Sequence, residues 1–231
     1  MKTFLKFRTL ILLSIIVVAL NSCKKDDEAT IFPLEVYNSK LEVSSATRLY
    51  TKNGEVNDAQ RVAKFVEKLD VFHAENDKSG IGTLAMTFLS ADSVFFGSDK
   101  NRFGVSKNGD QFIFTSAQTV LTTNVNILLE HILLNLFKHQ HIVGSYPIPS
   151  SNGYYNVRTI KEVRVAYGNY KILKLPMMAY SVKSTSGSGD AYTAAYSNGV
   201  INNELDANAT SYLKGNDTLA VKMYTVTCQR K

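Results

Sequence analysis

Short runs of β-branched and aromatic residues, separated by Asn-Gly or Gly-Asn pairs, recur along most of this chain and favour a fold built from antiparallel hairpins. Asparagine and glycine both tolerate the positive φ that tight hairpin turns demand. The clearest unit is a hairpin with strands at 102–106 and 111–116 and a turn over 107–110. Strands at 83–89 and 93–97 are predicted to precede it in an antiparallel meander. The pairs lie at Asn53-Gly54, Asn108-Gly109, Asn152-Gly153, Gly168-Asn169 and Asn198-Gly199.

The second half of the chain repeats this pattern. Pro176 is expected to end one strand, because proline cannot donate to the ladder inside a sheet. The loop 184–190, rich in Ser and Gly, is expected to end another. The strands predicted on this basis cover 157–167, 170–175, 178–183, 191–197 and 218–228.

Two segments follow a helical period instead. The first lies near 58–70, with Asn57 or Asp58 as its N-cap and polar residues opposite an apolar stripe. The second lies near 124–140, where a wide apolar arc predicts a helix packed on a sheet, although its apolar runs also suit strands.

The predicted fold class is therefore α+β, predominantly antiparallel β in hairpins and meanders, with about two helices. A chain of this length buries enough surface to fold without disulfides or metals. We expect one β-rich domain over 34–231, or two halves near 34–145 and 146–231.

The N-terminal segment 1–22 is typical of a secretory signal peptide. Three basic residues lie near its start, and an apolar run follows over 10–20, interrupted only by Ser14. Eleven residues span about 17 Å as a helix, against about 30 Å for the hydrocarbon core of a bilayer. A membrane-spanning anchor is the weaker alternative, because a longer span would place Lys6 and Arg8 in lipid.

Removal of this segment lowers the net charge. It holds three of the 26 basic residues and no acidic residue, so the rest of the chain carries 23 − 20 = +3. No basic cluster interleaved with aromatic residues occurs there, which argues against a nucleic acid as partner.

The residues Leu20, Asn21, Ser22 and Cys23 follow the apolar run directly. They resemble a lipobox, in which an aliphatic residue, a tolerant position and a small residue precede the cysteine to be modified. The resemblance implies that Cys23 receives a diacylglyceryl group and that signal peptidase II cuts before it. Each buried methylene contributes about 0.8 kcal/mol, so two or more acyl chains would hold the protein at a membrane.

The charged run behind Cys23 is similar to the export signal of Bacteroidota lipoproteins, which combines lysine with acidic residues. This similarity implies an outer-membrane protein at the cell surface, tethered by residues 23–33. An ordinary solvated tether has the same composition and is the alternative. The run consists of Lys24, Lys25, Asp26, Asp27 and Glu28.

Two short triplets match the O-glycosylation pattern of the same bacterial group. They centre on Ser93 and Thr218, each preceded by aspartate and followed by an aliphatic residue. Triplets this degenerate recur by chance, and residues at the start of a strand explain them equally well.

Three histidines lie close together in the sequence, as the ligands of a metal site can. His131, His139 and His141 fall within eleven residues, beside Glu130. His139 and His141 would share a face of a strand but would diverge on a helix, and no ligating motif accompanies them. We therefore expect polar residues at the end of an apolar helix, and neither a metal nor a cofactor.

Other chemical motifs are incomplete. A calcium loop starting at Asp206, with Asn208, Thr210 and Asp217, has Ser211 where glycine is needed. The loop 186–190 lacks the complete phosphate-loop and nucleophile motifs. Cys228 is expected to be a small buried hydrophobic residue on the last strand. Carboxylates that could pair in space for acid and base work are Glu42, Asp70, Glu162 and Glu204.

These observations favour a lipid-anchored lipoprotein of the cell envelope with a non-catalytic binding or accessory role. Its partner would be an envelope protein or a glycan, and the alternative is a lipid-anchored hydrolase acting on envelope or imported polymers. The folded part resembles no characterised family, and without tryptophan it lacks the Gly-x-Trp start typical of lipocalins. Tyrosines that could stack on a sugar are Tyr154, Tyr155, Tyr167, Tyr170, Tyr192 and Tyr196.

Overall fold

A computed structural model describes the chain at residues 30–67, 69, 72, 84–97, 101–122, 127–150, 153–185 and 193–230. The signal segment, the lipobox and the charged run lie outside the described residues, as do Asp70, Tyr192 and the loop 186–190. Phe32–Lys231 forms one compact unit with its own cores, and a unit of this kind can in principle fold alone. In the described part of the chain, no helix combines the length and the apolar character needed to cross a membrane.

Antiparallel strands dominate this unit, as predicted. Eight of them pair in a closed ring in the order β1, β4, β5, β6, β7, β9, β10 and β12, and β12 pairs with β1 again. Outside the ring, β2 pairs with β12, β3 with β2, β8 with β9, and β11 with β10. The strands are β1 (Leu34–Val43), β2 (Arg48–Thr51), β3 (Gly54–Glu55), β4 (Ala85–Ser90), β5 (Ser93–Phe96), β6 (Arg102–Asn108), β7 (Gln111–Thr122), β8 (His141–Ser150), β9 (Gly153–Gly168), β10 (Ile172–Thr185), β11 (Thr193–Ile201) and β12 (Thr218–Arg230).

The helices are shorter than predicted. Helix α1 (Ala59–Val66) begins after Asp58, whose carboxylate accepts the backbone N–H groups of Gln60 and Arg61. Helix α2 (Ile127–Leu133) was expected to reach residue 140. After Leu133 the chain leaves the helix and turns, and Phe137 forms an isolated antiparallel bridge with Leu205.

Proline at position 176 does not break its strand. The predicted strands 170–175 and 178–183 merge into β10, which begins at Ile172, after the turn at 170–171, and runs through Pro176. The Asn202 amide donates to the Pro176 carbonyl at 2.8 Å and to the Val165 carbonyl at 2.9 Å. Because the N and C=O of one residue face the same side in an antiparallel strand, the missing N–H of Pro176 faces Asn202 and takes no bond from the β12 ladder.

The closed sheet is filled by aromatic side chains. Phe88 of β4 contacts Phe112 and Phe114 of β7 with ring centroids 6.3 and 6.0 Å apart, across strands that are not neighbours. Tyr170, in the turn between β9 and β10, packs on Phe88 and Phe112 and covers that end of the interior. The interior of the closed sheet is therefore a packed hydrophobic core.

A second core lies on the outer face of β10 and β12. There the buried side chains of α2 and of the 3-10 helix Ala209–Tyr212 cover alternate residues of both strands. β10 is therefore buried on both faces, and α2 and the segment after it are held against the sheet. The buried residues are Leu129, Ile132, Leu136, Met178, Tyr180, Val182, Ala209, Leu213, Leu219 and Val221.

Candidate functional site

The three histidines do not converge. His131 Nε2 lies 2.8 Å from Asp217 Oδ2, and His139 Nε2 lies 3.1 Å from Glu204 Oε2. His141 is exposed at the start of β8. Within the described ranges, no group of three or more His, Cys, Asp or Glu residues is placed to hold a metal ion.

Asp217 is a buried residue whose carboxylate holds neighbouring segments of the chain together. Its carboxylate accepts hydrogen bonds from Ser184 Oγ at 2.6 Å and from the Lys214 backbone N–H at 2.7 Å, besides its contact with His131. A nucleophilic serine needs the histidine beside its hydroxyl to take the proton. Here the aspartate lies between serine and histidine, so the arrangement fixes the turn before β12. The Asp217 oxygens that a calcium loop would use as ligands are therefore already bound by donors within the protein.

Glu204 gathers a polar cluster on the outer face of the sheet. Its Oε2 accepts the Tyr167 hydroxyl at 2.6 Å and lies 3.1 Å from both His139 Nε2 and Lys138 Nζ. The Gln111 amide donates to the Tyr167 oxygen at 3.1 Å. This Glu204 cluster joins strands β7 and β9 to the segments around residues 138 and 204.

The surroundings of Glu204 and Tyr167 favour the ionised form of the carboxylate and the neutral form of the hydroxyl. Burial alone raises the pKa of Glu204, but hydrogen bonds from Tyr167, His139 and Lys138 outweigh it, and the net pKa lies below its usual range. Burial, followed by the hydrogen bond to Glu204, raises the pKa of Tyr167, so its hydroxyl stays a donor. A carboxylate stabilised in its charged form is a weak proton acceptor and donor near neutral pH.

A groove opens beside this cluster, between the segment after α2 and the 3-10 helix. We call it the polar groove; its volume is about 360 Å³. Two backbone bonds hold its walls together: Lys138 N–H to Glu204 O and Asp206 N–H to Leu136 O, both 2.9 Å long. Its lining consists of Leu134, Asn135, Phe137, Lys138, Gln140, Ile142, Asp206, Asn208 and Tyr212.

The amides in the polar groove are held by backbone carbonyls. Asn135 donates to His131 O at 2.9 Å, and Gln140 donates to Leu134 O and Phe137 O at 3.1 Å each. These bonds occupy amide hydrogens and leave the side-chain oxygens as acceptors in fixed positions.

The opposite wall adds a carboxylate and an aromatic ring. Asp206 Oδ1 accepts the Asn208 N–H at 2.8 Å, and the Asn208 side chain does not cap the 3-10 helix that follows. Tyr212 is 40% exposed. The groove therefore offers oxygen acceptors beside a half-exposed ring.

The remaining sequence candidates lie elsewhere. Exposed Glu42 pairs with Lys40, and Glu162 accepts from Arg164 Nε at 2.6 Å. Tyr170 belongs to the core, so among the tyrosines named for stacking whose side chains are described, only Tyr167 joins the cluster. Nothing is described for the side chains of Glu130, Tyr154, Tyr155 and Tyr196.

Two other residues have defined surroundings. Cys228 is buried as predicted, and burial raises the pKa of its thiol to about 12. Ser93 is 1% exposed and its Oγ accepts from Arg102 Nε at 2.6 Å, so a glycan at this oxygen would have to be attached before the sheet closes. Thr218 is half-buried at the start of β12.

Sequence reasoning named His139, Tyr167 and Glu204 separately and missed Tyr212 and the amides of the polar groove. No short motif joins Asn135 to Asp206, because their segments meet only in the fold, through the Phe137 to Leu205 bridge and the hydrogen bonds around it. In comparisons with known proteins, no family model, no curated protein and no solved structure matches this chain.

Proposed function

We propose that this protein is a lipid-anchored lipoprotein of the outer membrane, exposed at the cell surface, and that its folded unit binds a neutral glycan in the polar groove without transforming it. The observation that carries the binding role is that the Asn135 and Gln140 amides, held by backbone carbonyls, line one groove together with Tyr212, which is 40% exposed.

The chemistry of the groove favours a ligand rich in hydroxyl groups. The oxygens of Asn135, Gln140 and Asp206 accept hydrogen bonds, and each sugar hydroxyl can donate one. The ring of Tyr212 offers an apolar face with a polar tip, which suits the C–H face of a pyranose. Pockets that bind small ligands combine apolar walls with a few placed polar groups in this way.

Charge favours a neutral sugar over an acidic one. Asp206 contributes a negative charge to the lining, whereas the cation Lys138 is paired with Glu204 at 3.1 Å. A uronate would face the Asp206 carboxylate, which forms no ion pair among the described residues, and would lose hydration without a cationic partner.

A binding role is better supported than hydrolysis. Hydrolysis of a glycan calls for one carboxyl group that donates a proton and a second that attacks or activates water. Glu204 is held ionised by three donors, and Glu162 is engaged by Arg164. Glu204 is therefore a poor proton donor near neutral pH, and Glu162 does not line the polar groove.

Calorimetric titration of residues 24–231 tests the proposal. The probes are maltohexaose, cellohexaose, xylohexaose and hexagalacturonate. At least one neutral probe should bind, and Tyr212→Ala should weaken that binding about tenfold, the order expected for the loss of one aromatic contact. Tyr146→Ala is the matched control, because Tyr146 is 43% exposed and does not line the groove.

The proposal fails if no neutral hexasaccharide binds. It also fails if hexagalacturonate binds more tightly than the neutral probes, or if Tyr146→Ala and Tyr212→Ala weaken binding equally.

A further inference from the structure

A second pocket lies where α1 covers the closed sheet, at the end away from Tyr170. Its volume is about 410 Å³, within the range typical of ligand sites. We call it the basic pocket; it is lined by Arg61, Lys64, Phe65, Leu69, Ser181 and Lys183.

Strand register explains why a charged residue lies over an apolar interior here. Along β10 the inward-facing positions continue from Met177 and Ala179 to Ser181 and Lys183, because alternate residues share a face. Ala179 lies opposite Lys222 of β12. The wall of the sheet thus changes from apolar to basic as it approaches α1.

The cations of the basic pocket are not neutralised within the described part of the chain. Arg61, Lys64 and Lys183 take part in none of its ion pairs. Asp58, near Arg61 in sequence, uses its carboxylate to cap α1. Deeper in the wall, Lys222 Nζ donates to the Phe72 carbonyl at 2.9 Å and is already engaged.

Apolar surface lies between these charges. Phe65 and Leu69 pack against the core of the closed sheet and also line the pocket. The aliphatic stems of arginine and lysine can cover an apolar chain while their charged ends stay near water. The pocket therefore has an apolar floor and a cationic rim.

We propose that the basic pocket binds a single-chain amphiphile with an anionic head, of the fatty-acid type. Its chain lies against Phe65 and Leu69, and its head is held by Arg61, Lys64 and Lys183. This site is separate from the polar groove, so either proposal can fail without the other.

Each part of the ligand has a measurable effect. Burial of one more methylene raises affinity about fourfold, so decanoate should bind about 15 times more tightly than octanoate. Decanol has the chain without the charge and should bind more weakly than decanoate. Decyltrimethylammonium has the opposite charge and should bind most weakly.

The test is calorimetric titration of residues 24–231 with these four probes. Arg61→Gln with Lys183→Gln should lower the decanoate affinity at least fivefold and leave decanol binding unchanged. Lys214→Gln, which removes an exposed lysine elsewhere, should change neither. Circular dichroism of each variant checks that it is folded.

Three results would overturn the inference. The first is equal binding of decanoate and decanol, and the second is an affinity that does not depend on chain length. The third is decanoate binding that the double variant leaves intact, which would place the ligand elsewhere on the protein.

Discussion

Replacement of Glu204 by glutamine should destabilise the folded unit, because it removes the charge that holds three donors. The carboxylate Oε2 contacts Tyr167 at 2.6 Å and both His139 and Lys138 at 3.1 Å. Glutamine keeps the size of the side chain and one acceptor oxygen, so the expected loss is electrostatic and not a loss of packing.

The magnitude follows from the surroundings of each donor. A hydrogen bond to a charged group contributes about 1.5–3 kcal/mol. The three donors share one oxygen, and Lys138 is 48% exposed, so its share is screened by solvent. A loss of about 2 kcal/mol is expected, which corresponds to a fall in Tm of roughly 4–8 °C for a unit of about 200 residues.

The effect should depend on pH in a known direction. The pKa of Glu204 is lower in the folded protein than its ordinary value of 4.5. Its contribution to stability is therefore fully present above that ordinary value and is lost as the pH falls through the folded pKa. Wild type and Glu204→Gln should differ most near pH 7 and converge in acid.

Urea denaturation at pH 7 and in acid measures this difference. Glu67→Gln is the control, since Glu67 is exposed at the end of α1. The reasoning is refuted if Glu204→Gln loses no more stability than Glu67→Gln, or if its loss is the same at both pH values.

Three further predictions concern backbone strain, anchoring and export. Gly168→Ala should lower the free energy of unfolding by about 2–3 kcal/mol, because φ is +127° and a Cβ would lie 2.2 Å from Ile172 O. Gly109→Ala, at φ +61° with open space around it, should lower it by about 1 kcal/mol. Equal Tm values of the two variants in thermal denaturation would contradict this. Labelling with radioactive palmitate should vanish in Cys23→Ala, and label that persists would disprove this lipid site. Neutralising the acidic residues behind Cys23 should keep the lipid but remove cleavage by protease added to intact cells, and wild-type protein that resists this protease beside a cleaved surface control would contradict export. The variant for that test carries Asp26→Asn, Asp27→Asn and Glu28→Gln.

Local features of the fold could be predicted from the sequence. The hairpin of β6 and β7 is confirmed because the Asn108-Gly109 turn and the alternating side chains act within a few residues, and Gly109 has positive φ. The N-cap at Asp58 is confirmed for the same reason, since the donors that it satisfies lie two and three residues away.

Features that depend on distant partners were missed. The apolar residues Leu136 and Phe137 suggested a continued helix, but they join the second core from a turn after α2. Pro176 suggested a break, but Asn202 accommodates it from 26 residues away. Strands β1, β2 and β8 were not predicted individually, and β1 and β2 form their ladders with β12 at the other end of the chain.

The candidate site could not be predicted from the sequence for the same reason. Glu204 was named only as one of several carboxylates, and its partner His139 is 65 residues away. Tyr212 has no local signature that separates it from other tyrosines. Its role follows from the bridge that brings the two walls of the polar groove together.

The most direct test of the binding role is a nuclear magnetic resonance titration of ¹⁵N-labelled 24–231 with whichever of maltohexaose, cellohexaose and xylohexaose binds most tightly. Shift changes are expected to concentrate at residues 134–142 and 206–212 and to include the side-chain amides of Asn135 and Gln140. Changes confined to other surfaces, or no changes at saturating sugar, would contradict the binding role.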